Sequence, residues 1–242
     1  MKKVLITGSG GRIGGDIKEF LADCYKIVEV EKNDKLSKSK FAGVHSVIHL
    51  AALTPKPDRK FTLEEYLGAN VELTKQVLAY AFAAGVESVI IPTSWSWMFK
   101  VGDYQYSKLI QEKVAGKYRE LGLNVINIEL PEVIDGNYSG VISSIVGSIE
   151  RDILTTVDAI NITTITTKDI ANVCKKLVDG KKKEAMELYK KSLKTFDLYK
   201  EIKKTITKTS PGKLKYLKKG EHKVRTPVIK NKTIVFPKFE LE

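Results

Sequence analysis

At 242 residues and 43% hydrophobic composition, the chain can bury a sizeable core as one large domain or as a domain with a lobe. The apolar runs are too short to span a bilayer, the first of them breaks at Gly8, and Cys24 and Cys174 stand apart; the expectation is a chain without signal peptide or membrane partner, held in a reducing cytoplasm. The net charge of +12 is lopsided, with 21 Lys+Arg against 8 Asp+Glu over residues 175–242 and a balance of −1 over residues 1–174.

Residues 1–6 read as a strand, and Thr7-Gly8-Ser9-Gly10-Gly11-Arg12-Ile13-Gly14-Gly15 follows at once. A strand, a turn with glycines at 8, 11 and 14 and a helix over 13–22 suit a nucleotide diphosphate. The first glycine allows a sharp turn and the second lets the backbone approach phosphate. The third lets helix and strand pack closely, so that the helix N-terminus faces negative charge. Gly8, Gly10, Gly11, Arg12, Ile13 and Gly14 are candidate cofactor-binding residues. Residues 25–30 read as a second strand, and Glu31 at its carboxyl end is positioned to accept hydrogen bonds from an adenosine ribose. That acid favours NAD over NADP. Lys32 beside it argues for NADP, and an ordinary exposed acid at a strand end is the alternative reading.

Residues 43–52 read as a third strand ending in Leu50-Ala51-Ala52, small enough at its end for a flat cofactor to approach the sheet edge. His45 is expected at the surface and His49 in the core; with His222 they offer no metal-ligand spacing. A helix over 66–84 closes at Gly85, and a fourth strand covers 86–91. This alternation implies an α/β fold with a doubly wound parallel sheet.

After the fourth strand come Thr93-Ser94-Trp95-Ser96-Trp97, then Tyr104-Gln105-Tyr106-Ser107-Lys108 at the head of a helical run over 109–118. Tyr104 and Lys108, four apart, share a helix face. A nearby ammonium favours a phenolate, lowering the tyrosine pKa toward the range of a general acid/base. Tyr106, only two residues from Lys108, points elsewhere. A tyrosine–lysine pair at this spacing is common on helix surfaces, so its neighbours carry the weight.

Those neighbours form an ordered set: Thr7-Gly8-x-x-Gly11-x-x-Gly14, Val47-Ile48-His49-Leu50-Ala51-Ala52, Asn70-Val71-Glu72-Leu73-Thr74, Thr93-Ser94, Tyr104-x-x-Ser107-Lys108 and Leu130-Pro131-Glu132-Val133. Over residues 1 to about 175 the sequence resembles the extended short-chain dehydrogenase/reductase family, the NAD-dependent epimerase/dehydratase group. The resemblance implies a Rossmann-like fold with a small C-terminal substrate lobe. It also implies that Ser94 polarises the substrate oxygen, that Tyr104 is the acid/base, that Lys108 binds ribose and tunes Tyr104, and that Pro131 and Val133 lie near the nicotinamide. Two features depart from the family. Trp95-Ser96-Trp97-Met98-Phe99 replaces its usual Val-Tyr-Gly loop, and only nine residues separate Ser94 from Tyr104. Ser96 is therefore the alternative serine, and the aromatic run lines a substrate pocket or simply packs a short loop.

Farther on, residues 125–130 read as a strand, 141–154 as a helix, 157–166 as a strand and 167 onward as a helix. A lysine-rich helical pattern follows over 181–206, then a turn at Ser210-Pro211-Gly212 and short strands or irregular chain. The expected division is 1–135 for dinucleotide binding and 136–242 for a partly interleaved, lysine-rich substrate lobe. The expected activity is an NAD(P)-dependent epimerase or oxidoreductase acting on a hydroxyl or keto group. A positive lobe suits a nucleotide sugar as substrate. Scattered lysines without interleaved aromatics disfavour nucleic acid, and a solvated surface accounts for most such charge. A homodimer is implied by resemblance. The alternative function is a non-catalytic dinucleotide-binding sensor or scaffold of the same fold.

Overall fold

The computed structural model describes residues 1–56, 59–94, 102–134, 141–152, 156–158, 161–220, 228–230 and 233–235. They divide into two compact units, Met1–Leu130 with Thr166–Ser192, and Pro131–Ile165 with Leu193–Glu242.

The first unit is built on a five-stranded parallel sheet in the order β2-β1-β3-β4-β5. In chain order its elements begin with β1 (Lys3–Thr7), α1 (Arg12–Ala22), β2 (Lys26–Val30) and β3 (Ser46–His49). α2 (Leu63–Tyr66) leads through a π-helical turn at Leu67–Glu72 into α3 (Leu73–Ala83). β4 (Ser88–Ser94), α4 (Asp103–Glu120) and β5 (Val125–Leu130) complete the sheet. Val4, Ile6, Ile48 and Ile90 are fully buried and alternate with Leu5, Val47, Val89 and Ile91, so both faces of the sheet are covered. On one face Leu5, Val47, Val89 and Ile91 pack with Val77, Leu78 and Ala81 of α3 and Val114 and Ala115 of α4. Helix α1 lies against β1, and α6 (Thr167–Val178) lies against α1 and β4. The Rossmann-like, doubly wound reading holds.

Several boundaries differ from expectation for identifiable reasons. The helix expected over 66–84 starts earlier, because Thr62 and Glu65 form a reciprocal capping box. It ends where Gly85 takes φ +66. β4 extends past residue 91 to include Ser94. β3 pairs with it only as far as Ile90, so Pro92, which has no N–H, interrupts no ladder bond on that side. α4 begins at Asp103, which brings Tyr104 into its first turn. Thr166 caps α6 by accepting from Asp169 N at 3.1 Å, and α7 (Lys182–Ser192) packs on α6.

The second unit holds β6 (Glu132–Ile134), α5 (Val141–Glu150), β7 (Thr156–Asp158), β8 (Asn161–Thr166, its last residue in the first unit), β9 (Lys194–Asp197), α8 (Leu198–Thr209), β10 (Lys218–Gly220), β11 (Val228–Lys230) and β12 (Thr233–Val235). The helix expected over 181–206 is broken. β9 pairs antiparallel with β8, Thr163 and Thr195 hydroxyls meet across the pair at 3.1 Å, and Asp197 then caps α8 on Lys200 N. The single strand expected over 157–166 is two, β7 pairing with β10 and β8 joining β6 and β9. A small core of Ile149, Leu198, Ile202 and Ile206 holds this unit together.

Candidate active site

The glycine turn sits at the carboxyl end of β1. Gly8 has φ +73, and a Cβ there would lie 2.7 Å from Ala51 N; at Gly14 a Cβ would lie 2.1 Å from Gly8 O. Both positions therefore require glycine, one for conformation and close approach, the other because helix and turn touch. Gly11 is the N-cap of α1, which has no side-chain cap and no acid in its first turn. An anion can take the place of that cap. Ser9 Oγ, inside the turn, is buried without a hydrogen-bond partner. The Glu31 carboxylate stands beside Gly10, 3.2 Å from where a Cβ would be. Leu50, Ala51 and Ala52 follow β3 at the same sheet end as the turn, with Leu50 N bonded to Thr7 O. The uncapped helix start, the Glu31 acid and the small-residue strand end are thus assembled around one turn. Arg12 and Ile13 are the first residues of α1.

Ser94 ends β4, and Tyr104 and Lys108 are one turn apart on α4. The Ser94 and Tyr104 side chains are hydrogen-bonded, and the Tyr104 ring lies 5.7 Å from that of Tyr66. Tyr106 is 44% exposed and turned away. The electrostatics correct one expectation. The phenol of Tyr104 is raised above its ordinary pKa, chiefly by burial, with the Ser94 hydrogen bond opposing the rise. Lys108 is buried, and burial brings its pKa down to about 8. Its ammonium donates to Pro92 O and to Gln111 Oε1. Desolvation outweighs the help the tyrosine was expected to receive from its neighbour.

A buried polar network joins the two halves of this site. Thr7 Oγ1 and His49 Nδ1 are 2.6 Å apart, and His49 Nε2 is 2.8 Å from Thr74 Oγ1. Thr74 also receives Gln111 Nε2 at 2.7 Å, and Gln111 in turn meets Lys108. In the π-helical turn, Asn70 accepts from Leu53 N at 2.7 Å and donates to Ser107 Oγ at 2.9 Å, while Ser107 donates to Tyr104 O. π-helical turns recur at functional sites. Asn70, Thr74 and Ser107 lay within quoted motifs but had no assigned role, and Gln111 carried no sequence signal of its own.

His49 is in the core, as expected, and burial lowers its pKa to about 3. The unfolded side chain takes up a proton near pH 6.5 while the folded one stays neutral, so stability present at pH 7 is lost as pH falls toward 3. Between pH 7 and pH 5 the expected loss from this group is about 2 kcal/mol. Urea unfolding at the two pH values should show that difference in the wild type and lack it in His49→Gln.

Pro131 and Val133 open the second unit. Trp95, Ser96, Trp97, Met98 and Phe99 lie outside the described residues, as do His222 and Phe236. Among the described residues no three His, Cys, Asp or Glu side chains could share a metal ion, and no helix is long and apolar enough to cross a membrane.

The model of the NAD dependent epimerase/dehydratase family matches residues 4–167. No curated protein matches the chain. Among solved structures, MoeE5 in complex with UDP-glucose and NAD aligns over 90% of this chain and 85% of its own, with TM-score 0.68 and 18% identity. A UDP-N-acetylglucosamine 4-epimerase from Methanobrevibacter ruminantium M1, in complex with UDP-N-acetylmuramic acid, aligns over 92% and 86%, with TM-score 0.67 and 15% identity. Bordetella bronchiseptica WbmH in complex with NAD+ aligns over 74% and 72%, with TM-score 0.59 and 20% identity. At these identities the likeness concerns the fold.

Proposed function

The chain belongs to the NAD dependent epimerase/dehydratase family, and we propose that it is an NAD-dependent epimerase or oxidoreductase of a nucleotide sugar, working through Ser94, Tyr104 and Lys108. The observation that carries this reading is the hydrogen bond between Ser94 and Tyr104, with a buried lysine one helical turn on. A hydroxyl pair of this kind can hold a substrate hydroxyl and move its proton, Ser94 orienting the oxygen and Tyr104 acting as acid or base. Retention of all three residues disfavours a sensor or scaffold.

Bound NAD supplies a hydride acceptor, which serves an epimerase and an oxidoreductase alike. Gly8, Gly10, Gly11, Arg12, Ile13 and Gly14 are assigned to its pyrophosphate, Glu31 to the adenosine ribose, and Leu50, Ala51 and Ala52 to the close-approach edge. Lys108 is assigned to the second ribose, and Pro131 and Val133 to the nicotinamide. The excess of lysine after residue 174 favours a substrate carrying a diphosphate. UDP-sugars, which accompany MoeE5 and the Methanobrevibacter ruminantium epimerase, are the first to try. A homodimer remains part of the proposal, as does a reducing compartment, which free Cys24 and Cys174 suit.

Calorimetric titration with NAD+, NADP+ and UDP-glucose tests it. NAD+ should bind at least about tenfold more tightly than NADP+, because the Glu31 carboxylate repels a 2′-phosphate, and Glu31→Ala should narrow that gap. Equal or absent binding of the two dinucleotides would sink the cofactor assignment.

A further inference from the structure

The hydrogen bonds that reach Lys108 belong to two runs of donors that converge on the Thr74 hydroxyl. Thr74 has a single hydroxyl proton, and it goes to Asn70 O at 2.7 Å. Its oxygen must then accept from both Gln111 Nε2 and His49 Nε2. His49 is neutral, so a proton on Nε2 leaves Nδ1 bare, and Nδ1 accepts from Thr7 Oγ1. Thr7 in turn accepts from Ala51 N at 3.3 Å. At the far end the Lys108 ammonium can only donate, so the Gln111 atom facing it is the carbonyl oxygen. Reversing the amide would set an NH2 against an ammonium and a carbonyl against a hydroxyl oxygen with no proton to give.

We propose that Gln111 is a positioning residue for Lys108, its amide locked carbonyl-first onto the ammonium because the Thr74 hydroxyl, which ends a run of hydrogen bonds from β1 through His49, can only accept from it. The proposal rests on the assignment of Lys108 to the cofactor ribose and deepens it. Each member is buried: Thr7, His49, Thr74, Lys108 and Gln111 are at most 4% exposed. Water therefore cannot substitute for a missing partner. The network also joins two parts of the site that lie far apart in sequence, the strand end beneath the glycine turn and the helix that carries Tyr104. The titratable groups around Lys108 are Glu112 and Tyr104 on its own helix, His49 on β3, and Tyr66 on α2, whose ring meets that of Tyr104.

The test reads Lys108 itself in the full-length protein without cofactor. Its 13Cε resonance in lysine-labelled protein is identified by its absence in Lys108→Met and followed against pH. The wild-type midpoint is expected near 8. Gln111→Leu, which keeps bulk and removes the acceptor, should lower it by about one unit, a tenfold change in the ionisation constant. Gln111→Glu, which keeps an acceptor and adds a charge, should raise it. A residue that merely fills space would move the thermal midpoint and leave the titration where it was. Midpoints unmoved in both variants overturn the proposal; if Gln111→Leu does not fold, a midpoint in Gln111→Glu at or below the wild type overturns it alone. Failure of the wild type to bind NAD+ sinks the functional reading by a separate measurement, and the titration still decides what Gln111 does.

Discussion

Gly14→Ala is expected to abolish dinucleotide binding and to cost the fold roughly 3 kcal/mol, the upper end for overpacked positions. A methyl group there would lie 2.1 Å from Gly8 O and 2.9 Å from Gly8 C. Both are backbone atoms of a turn already committed to φ +73, so no side chain can swing aside. Relief requires α1 to withdraw from β1, which carries its N-terminus away from the site an anion would occupy. NAD+ affinity should fall by at least about 100-fold, the loss of roughly 3 kcal/mol of binding. The neighbouring change is the control. A methyl at Gly15 would meet Ser9 O at 3.8 Å, an ordinary contact, and alanine is favoured in a helix interior by up to about 1 kcal/mol. Urea denaturation and NAD+ calorimetry on the two variants should separate them cleanly. Wild-type affinity in Gly14→Ala would show that the turn does not hold the pyrophosphate.

Tyr104→Phe is expected to lower kcat by about 10²–10⁴, the usual contribution of a positioned acid/base, while NAD+ affinity stays within about threefold of the wild type because the phenol bonds Ser94 rather than the turn. Unchanged turnover would end the catalytic assignment. Ser94→Ala gives a second signature. In the wild type the Ser94 hydrogen bond holds the phenol down against burial. Without it the tyrosine pKa rises further, so the increase of oxidative kcat with pH should shift to higher pH. A serine serving only to fill space would leave that profile unmoved.

The glycine turn, Glu31, the strand end at Ala51-Ala52 and the Tyr104/Lys108 pair were legible because each depends on local chemistry at fixed spacing. The sheet was legible for a related reason: strands buried on both faces read as unbroken apolar runs, as Val4 to Ile6 and Val89 to Ile91 do. What escaped was set by partners distant in sequence. Gln111 looks like any polar helix residue until Thr74, 37 positions earlier, fixes its amide. The rise in the Tyr104 pKa depends on how completely the folded chain excludes water, which a spacing of four residues does not reveal. β9 does not show in the sequence because its helical lysine pattern is overridden by pairing with β8, a tertiary contact that outweighs propensity.

The first unit is not contiguous, and this bears on how the protein is made. Helix α6, which packs against α1, carries Ile170, Val173, Cys174 and Leu177, all buried. A ribosome therefore releases all five sheet strands by residue 130 and then synthesises 35 residues of the other unit before α6 emerges. Until then α1 lacks that partner, and the nascent sheet has an unsatisfied apolar flank. A fragment cut at residue 135 would share the same exposed flank and is a poor choice for isolated expression. Excising residues 131–165 behind a short linker, and ending the chain at Ser192, would keep the whole sheet unit together.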